Sequence, residues 1–130
     1  MPKPKNVIVT VTVDTDQITR ENVTRTIVLS DDNGGTDQTP GDSCTFLSKI
    51  NNEAQATFKC HAKNGTTPVT FISFNKTSSG PDIMNPMPEA PHWTTTVSGN
   101  QKDTENYQFT VMVDGKGEFT LDPEVEIKGP

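Results

Sequence analysis

Two cysteines, Cys44 and Cys60, are the most reactive side chains in this sequence. If Ile50 lies opposite Ala54 across a three-residue turn, the same antiparallel register places Cys44 opposite Cys60. Facing cysteines form a disulfide in an exported protein and remain two small buried thiols in a cytosolic one. Both alternatives make them structural cysteines, because a metal site needs more ligands and only His61 lies near them in sequence.

Five aspartates form the second set of residues with possible chemistry. Asp14 and Asp16 end the first predicted strand, and Asp31, Asp32 and Asp37 lie in the loop after the second. Carboxylates that converge at one end of a sandwich can hold Ca²⁺ through about six to eight oxygens. The spacing does not match an EF-hand, and solvated turn residues are the preferred interpretation. We therefore expect no cofactor, with Ca²⁺ as the alternative.

A proline-rich loop at residues 83–93 forms the third set, with Met84, Met87, His92 and the only tryptophan, Trp93. Its prolines fix the backbone, and its methionines and Trp93 offer an apolar surface to a carbohydrate, another small ligand, a peptide or a second subunit. Trp93 turned inward as a cover for the core is the slightly favoured alternative. With the surface exposed, we expect a homo-oligomer with Met84, Met87 and Trp93 at or near the contact.

Composition and charge exclude several classes of protein. The net charge of −6 argues against nucleic acid and anionic membranes as partners, since both bind clustered Lys and Arg. No apolar run is long enough to insert into a membrane. The first residues lack the apolar region of a signal peptide, so a cytoplasmic location is expected, with secretion as the alternative if a signal peptide was removed. The sequence shows no Ser-His-Asp arrangement and no glycine-rich phosphate loop, and we expect that the protein is not an enzyme.

The elements that position these residues are predicted to be strands. Residues 6–14 alternate Val7, Val9, Val11 and Val13 with threonines, which is typical of a half-buried strand. Residues 23–30 form the second predicted strand, and the Ile50–Ala54 register pairs a third with a fourth. Residues 67–75 read as a strand with apolar residues on both faces, which favours a central or covered strand. Residues 92–98 form a short strand after the proline-rich loop.

The closing hairpin, within residues 107–129, has the clearest pattern. A loop of Gly115, Lys116 and Gly117 would place Val113 opposite Phe119 and all apolar residues on one face. Gly117 is then expected to have the positive φ of a bulge. With one core and no repeat, the chain is predicted to be a single all-β domain over residues 1–130. The expected fold is an antiparallel β-sandwich of seven or eight strands, jelly-roll or Ig-like.

Two segments resemble the AidA/PixA inclusion-body protein family of bacteria. The run VTVTVDTD, residues 9–16, is similar to the first strand of that family. The run YQFTVMVDGKGEFTLDPEVEIKG, residues 107–129, is similar to its last hairpin, including the Asp122-Pro123 step. The aromatic residue usually found before that step is lacking here. The resemblance implies a β-sandwich in a non-enzymatic protein and supplies no binding residues.

Two functional hypotheses follow from these observations. The first is a non-enzymatic β-sandwich of the inclusion-body type that acts by self-association or by binding a small ligand. The second is an extracellular recognition module, carbohydrate-binding or adhesin-like, with bound Ca²⁺. The oxidation state of the cysteines distinguishes them, because a disulfide is typical of an exported protein.

Overall fold

The computed structural model describes residues 6–31, 47–100 and 102–128, and these ranges form a β-sandwich. Nine strands and one helical turn are described. Their bounds are β1 Val7–Val13, α1 Val23–Thr26, β2 Ile27–Asp31, β3 Leu47–Asn51, β4 Gln55–Ala62, β5 Val69–Lys76, β6 Thr94–Thr96, β7 Thr104–Val113, β8 Gly117–Leu121 and β9 Glu124–Lys128. Within these ranges, no helix has the length and apolar character that crossing a membrane requires.

One sheet has the strand order β2-β1-β4-β6, and the other has the order β3-β9-β7-β5 with β8 also paired to β7. The prediction of an all-β sandwich is confirmed, but the sheets are mixed rather than purely antiparallel. β1 pairs with β4 in parallel, and so does β3 with β9. The described strands also exceed the predicted seven or eight, because β8 and β9 are separate strands.

The alternating valines of β1 pack into the core as predicted, with Val9, Val11 and Val13 fully buried. The second predicted strand begins later than expected, because residues 23–26 form the helical turn α1 and only β2 is extended. Asp14 N donates to Thr26 O at 2.7 Å at this junction.

The predicted hairpin between the third and fourth strands is wrong. β3 pairs with β9, where Ile50 lies opposite Ile127, and β4 pairs with β1, where Phe58 lies opposite Val9. A turn in which Ala54 N donates to Asn51 O at 3.1 Å carries the chain from one sheet to the other. Alternation in the sequence shows which side chains face inward. It is the same whether the turn joins two paired strands of a hairpin or carries the chain from one sheet to the other.

The closing hairpin has its predicted apolar face with a different register. Val113 lies opposite Gly117 and Val111 opposite Phe119, so the loop is residues 114–116 rather than 115–117. The shift is two residues, which leaves every side chain on its predicted face. Gly117 has the predicted positive φ, 103°, and Gly115 also has a positive φ, 80°.

Candidate functional site

The sandwich is open on the side where β4 and β5 approach each other. β5 is the edge strand of its sheet, and β4 is covered by β6 only from Gln55 to Thr57. Between them lies a cleft of about 460 Å³, which we call the Trp93 cleft. Its lining residues are Thr57, Phe58, Lys59, Cys60, Val69, Thr70, Phe71, Pro91, His92 and Trp93.

Trp93 forms one end of this cleft because the loop that carries it is bonded to β4. The Trp93 backbone has φ 50°, its N–H donates to Glu89 O at 2.9 Å, and its carbonyl accepts from Phe58 N at 2.9 Å. The indole packs against Phe71 and Phe74, with ring centroids 5.5 Å and 5.9 Å away. The half-buried Trp93 therefore covers the aromatic core, as the favoured alternative predicted, and also lines the cleft.

A second depression is also lined by Trp93, and we call it the β5 groove. It has a volume of about 420 Å³ and is lined by Ile72, Ser73, Phe74, Met87, Pro88, Glu89, Ala90 and Trp93. A β-bulge between Phe71 and Ser73 interrupts the pairing of β5 with β7. Because of the bulge, Phe71 and Phe74 both face the core, while Ile72 is turned outward and is 44% exposed.

The bulge explains why the apolar residues of β5 fall on both faces. The sequence suggested a central or covered strand, whereas β5 is an edge strand. Thr77 N donates to Asn106 O at 2.9 Å. Beyond the bulge, every second residue of β5 counted back from Thr77 therefore forms its backbone hydrogen bonds with β7. By strand alternation the N–H and C=O of Phe74 point to the outer edge. Among the described residues, no hydrogen bond to those groups is seen.

The other half of the β5 edge is capped by the thiol of Cys60. Its Sγ donates to Val69 O at 3.4 Å and accepts a backbone hydrogen bond from Phe71. This is the pattern that a residue of a parallel strand would form with Val69 and Phe71, reproduced by one sulfur atom. Partial burial raises the pKa of Cys60 to about 11, although the Phe71 hydrogen bond opposes the increase. Because Cys60 occupies the backbone groups of this half, the edge of β5 can pair with another chain only beyond the bulge.

Glu105 on β7 links the start of the proline-rich loop to that strand through a hydrogen bond. Its buried Oε1 accepts from Met84 N at 2.9 Å, and its Oε2 lies 3.7 Å from Lys76 Nζ. Lys76 Nζ also donates to Gly80 O at 2.6 Å and to Asp82 Oδ1 at 2.6 Å. The hydrogen bond with Asp82 is the main reason that the pKa of Lys76 is raised.

The predicted ligand-contact residues do not form one exposed surface. Met84 is only 2% exposed and belongs to the core, so the expectation that it is exposed is wrong. Its position follows from a β-bridge to Val97 and the hydrogen bond to Glu105. Met87 is half-buried and lines the β5 groove, whereas His92 is exposed and lines the Trp93 cleft.

Three residues of the candidate site were not predicted from the sequence: Ile72 beside the β5 groove, Cys60 as an edge cap, and Lys59 in the cleft lining. The break in alternation at Phe71-Ile72 was a signal for a bulge, which turns an apolar side chain outward. No signal in the sequence placed Cys60 beside β5, because their proximity depends on which sheet each strand joins.

The predicted metal ligands that the structure describes do not converge. Asp14 is 3.9 Å from Lys63 Nζ, and Asp16 accepts from Asn64 Nδ2 at 3.3 Å. Asp31 lies opposite Val9 on β1. Val9 is five residues before Asp14, so Asp31 and Asp14 lie at opposite ends of the β1–β2 ladder, about 17 Å apart. Asp32 and Asp37 lie outside the described residues. Within the described ranges, no three His, Cys, Asp or Glu side chains are close enough to hold a metal ion.

The predicted pairing of the cysteines depended on the hairpin that the fold does not contain. Cys44 lies outside the described residues, and Cys60 is a free thiol on β4. The Ile50–Ala54 register from which their pairing was predicted is wrong, because β3 pairs with β9 and β4 with β1 and β6.

Comparison with known proteins places this fold in context. Residues 5–119 match the profile of a family described as "Domain of unknown function (DUF8788)". No curated protein matches the sequence. The fold is similar to the crystal structure of the inclusion body protein PixA from Burkholderia cenocepacia, with a TM-score of 0.68, 8% identity and coverage of 97% of both chains. The likeness confirms, at the level of the fold, the resemblance to the AidA/PixA family.

Proposed function

The chain belongs to the family described as "Domain of unknown function (DUF8788)", and we propose that it is a non-enzymatic β-sandwich protein of the inclusion-body type that acts by self-association. The similar fold is that of a protein named as an inclusion body protein. Dense protein bodies require contacts between copies, and therefore a surface suited to such contacts.

The outer edge of β5 carries this proposal. Ile72 is 44% exposed, more than the other two exposed large apolar side chains of the described residues, Val28 and Ile8. It lies beside the β5 groove and next to the outward N–H and C=O of Phe74. An edge strand that combines free backbone groups with exposed apolar surface pairs readily with another chain. A twofold arrangement of two β5 edges is the simplest contact between identical copies.

The thiol of Cys60 supports a cytoplasmic location for this activity. A free cysteine persists in a reducing compartment, while exported domains of this size commonly use their cysteines in disulfides. Cytoplasmic self-association is therefore preferred over the extracellular recognition module.

The test replaces Ile72 with lysine and measures molar mass by light scattering over a range of protein concentrations. We expect the wild-type chain to associate as concentration rises and Ile72→Lys to remain a monomer, because a charge in the contact would have to be desolvated. Val28→Lys is the matched control, since Val28 is 38% exposed on β2 of the other sheet. Equal association of all three proteins, or a monomeric wild type, would contradict the proposal.

A further inference from the structure

The Trp93 cleft has features that the self-association contact does not use. From them we infer that the cleft binds a sugar that carries a carboxylate. The inference is independent of self-association, because the contact proposed above lies at Ile72 and the β5 groove, whose lining shares only Trp93 with the cleft.

The size and shape of the cleft suit a small ligand. Its volume of about 460 Å³ lies within the range typical of small-molecule sites, about 300–1,000 Å³. Two strands form its walls, and the loop bearing Trp93 closes one end. The backbone bond from Phe58 N to Trp93 O holds that end in place, so the site is formed before a ligand arrives.

The lining combines an aromatic surface with groups that form hydrogen bonds. The half-buried Trp93 provides the accessible aromatic surface above the buried Phe58 and Phe71. The exposed Thr70 adds a hydroxyl group, and the Thr57 hydroxyl, which is 3.0 Å from that of Thr94, lies beside it. A pyranose ring has one face of C–H groups and a rim of hydroxyls, so it needs both kinds of partner. Tryptophan suits such a ligand, because a half-exposed indole offers a flat apolar surface at the edge of water.

The charges in the cleft indicate the third property of the ligand. Lys59 and His92 line it, and none of its lining residues is acidic. This contrasts with the chain as a whole, whose net charge is −6. The alternation of β4 turns the exposed Lys59 side chain away from the buried Phe58. Among the described residues Lys59 has no ion-pair partner, so its ammonium is available to an anion at the outer side of the cleft. One ammonium beside a histidine suits a singly charged carboxylate, whereas phosphate is usually held by arginines or several backbone N–H groups.

Because Trp93 is the only tryptophan, its fluorescence reports binding directly. The experiment titrates the protein with D-glucuronate and with D-glucose, its neutral counterpart, across the millimolar range. We expect a saturable change with glucuronate, about tenfold weaker binding of glucose, and weakening of glucuronate binding by added salt.

Variants test the assignment to this cleft. Lys59→Gln should reduce glucuronate affinity about tenfold through loss of a charge-assisted hydrogen bond. Lys63→Gln is the control, because Lys63 is exposed but pairs with Asp14 outside the cleft. Ile72→Lys should retain glucuronate binding even if it abolishes association, which keeps the two proposals separable.

Several results would overturn the inference. No saturable response to either sugar would show that the cleft is not a sugar-binding site. Equal affinity for both sugars would show that the cleft does not recognise the carboxylate. Benzoate binding more tightly than glucuronate would show that the ligand is an aromatic acid rather than a sugar. Full affinity in Lys59→Gln would show that the anion binds elsewhere.

Discussion

Replacing Glu105 with alanine tests how the proline-rich loop is held against the sandwich. The change removes the acceptor of the Met84 N–H, and Met84 is 2% exposed, so bulk solvent does not reach the freed donor. A buried donor left without a partner costs about 1–3 kcal/mol. The truncation also leaves a cavity and takes one oxygen away from Lys76, while relief from desolvating a carboxylate partly offsets these losses.

We therefore expect the free energy of unfolding to fall by about 2–4 kcal/mol. For a domain of this size that corresponds to a decrease in Tm of about 10 °C. Chemical denaturation followed by Trp93 fluorescence measures the first quantity, and calorimetry measures the second. Glu105→Gln should lose less than half as much stability, because its amide oxygen can still accept from Met84 N.

Glu118→Ala is the control for this series, since Glu118 is exposed on β8 and should change stability by less than about 0.5 kcal/mol. If Glu105→Ala were equally harmless, the Met84–Glu105 hydrogen bond would not hold the loop. If Glu105→Gln were as damaging as alanine, the negative charge rather than the acceptor oxygen would be the stabilising feature.

Four further predictions follow from the turn, the thiol and the aspartates. Gly117→Val should lower the free energy of unfolding by about 1–2 kcal/mol through its φ of 103°, although the added side chain has open space; an unchanged denaturation midpoint would contradict this. With a pKa of about 11, Cys60 should react with iodoacetamide about 100-fold more slowly near neutral pH than an ordinary thiol, and unfolding should remove the difference; mass spectrometry of its peptide measures both rates. The raised pKa also means that its contribution to stability is present below the unfolded-state pKa and is lost as pH rises toward 11, which denaturation at two alkaline pH values can detect. Millimolar Ca²⁺ should leave Tm unchanged, because Asp14 and Asp16 are far from Asp31; a rise in Tm would restore the metal hypothesis.

The sequence was sufficient to predict the layers of the fold. In β1 and in β7 with β8, strict alternation identified the buried side chains, because one face of each strand is covered and the other is not. The same alternation could not determine partners. It is unchanged when a hairpin register shifts by two residues, as at Val113, or when a strand crosses to the other sheet, as after Ile50.

The candidate site was predicted only in part, for a related reason. Trp93 and His92 were recognised by residue type, and both line the cleft. Lys59, Cys60 and Ile72 acquire their roles from the approach of β4 to β5, which are strands of different sheets. Met84 was predicted to be exposed because it lies among prolines in a loop. Its burial depends on the hydrogen bond from its backbone N–H to the buried Glu105 carboxylate, which the sequence pattern does not indicate.

Deuterium exchange along β5 at low and high protein concentration tests the central claim most directly. Self-association through the outer edge predicts that the Phe74 amide exchanges more slowly at high concentration, because it then donates to a second copy. The Phe71 amide should change little, since Cys60 already accepts its hydrogen bond. Association that leaves exchange at Phe74 unchanged would show that the copies meet on another surface and would contradict the account.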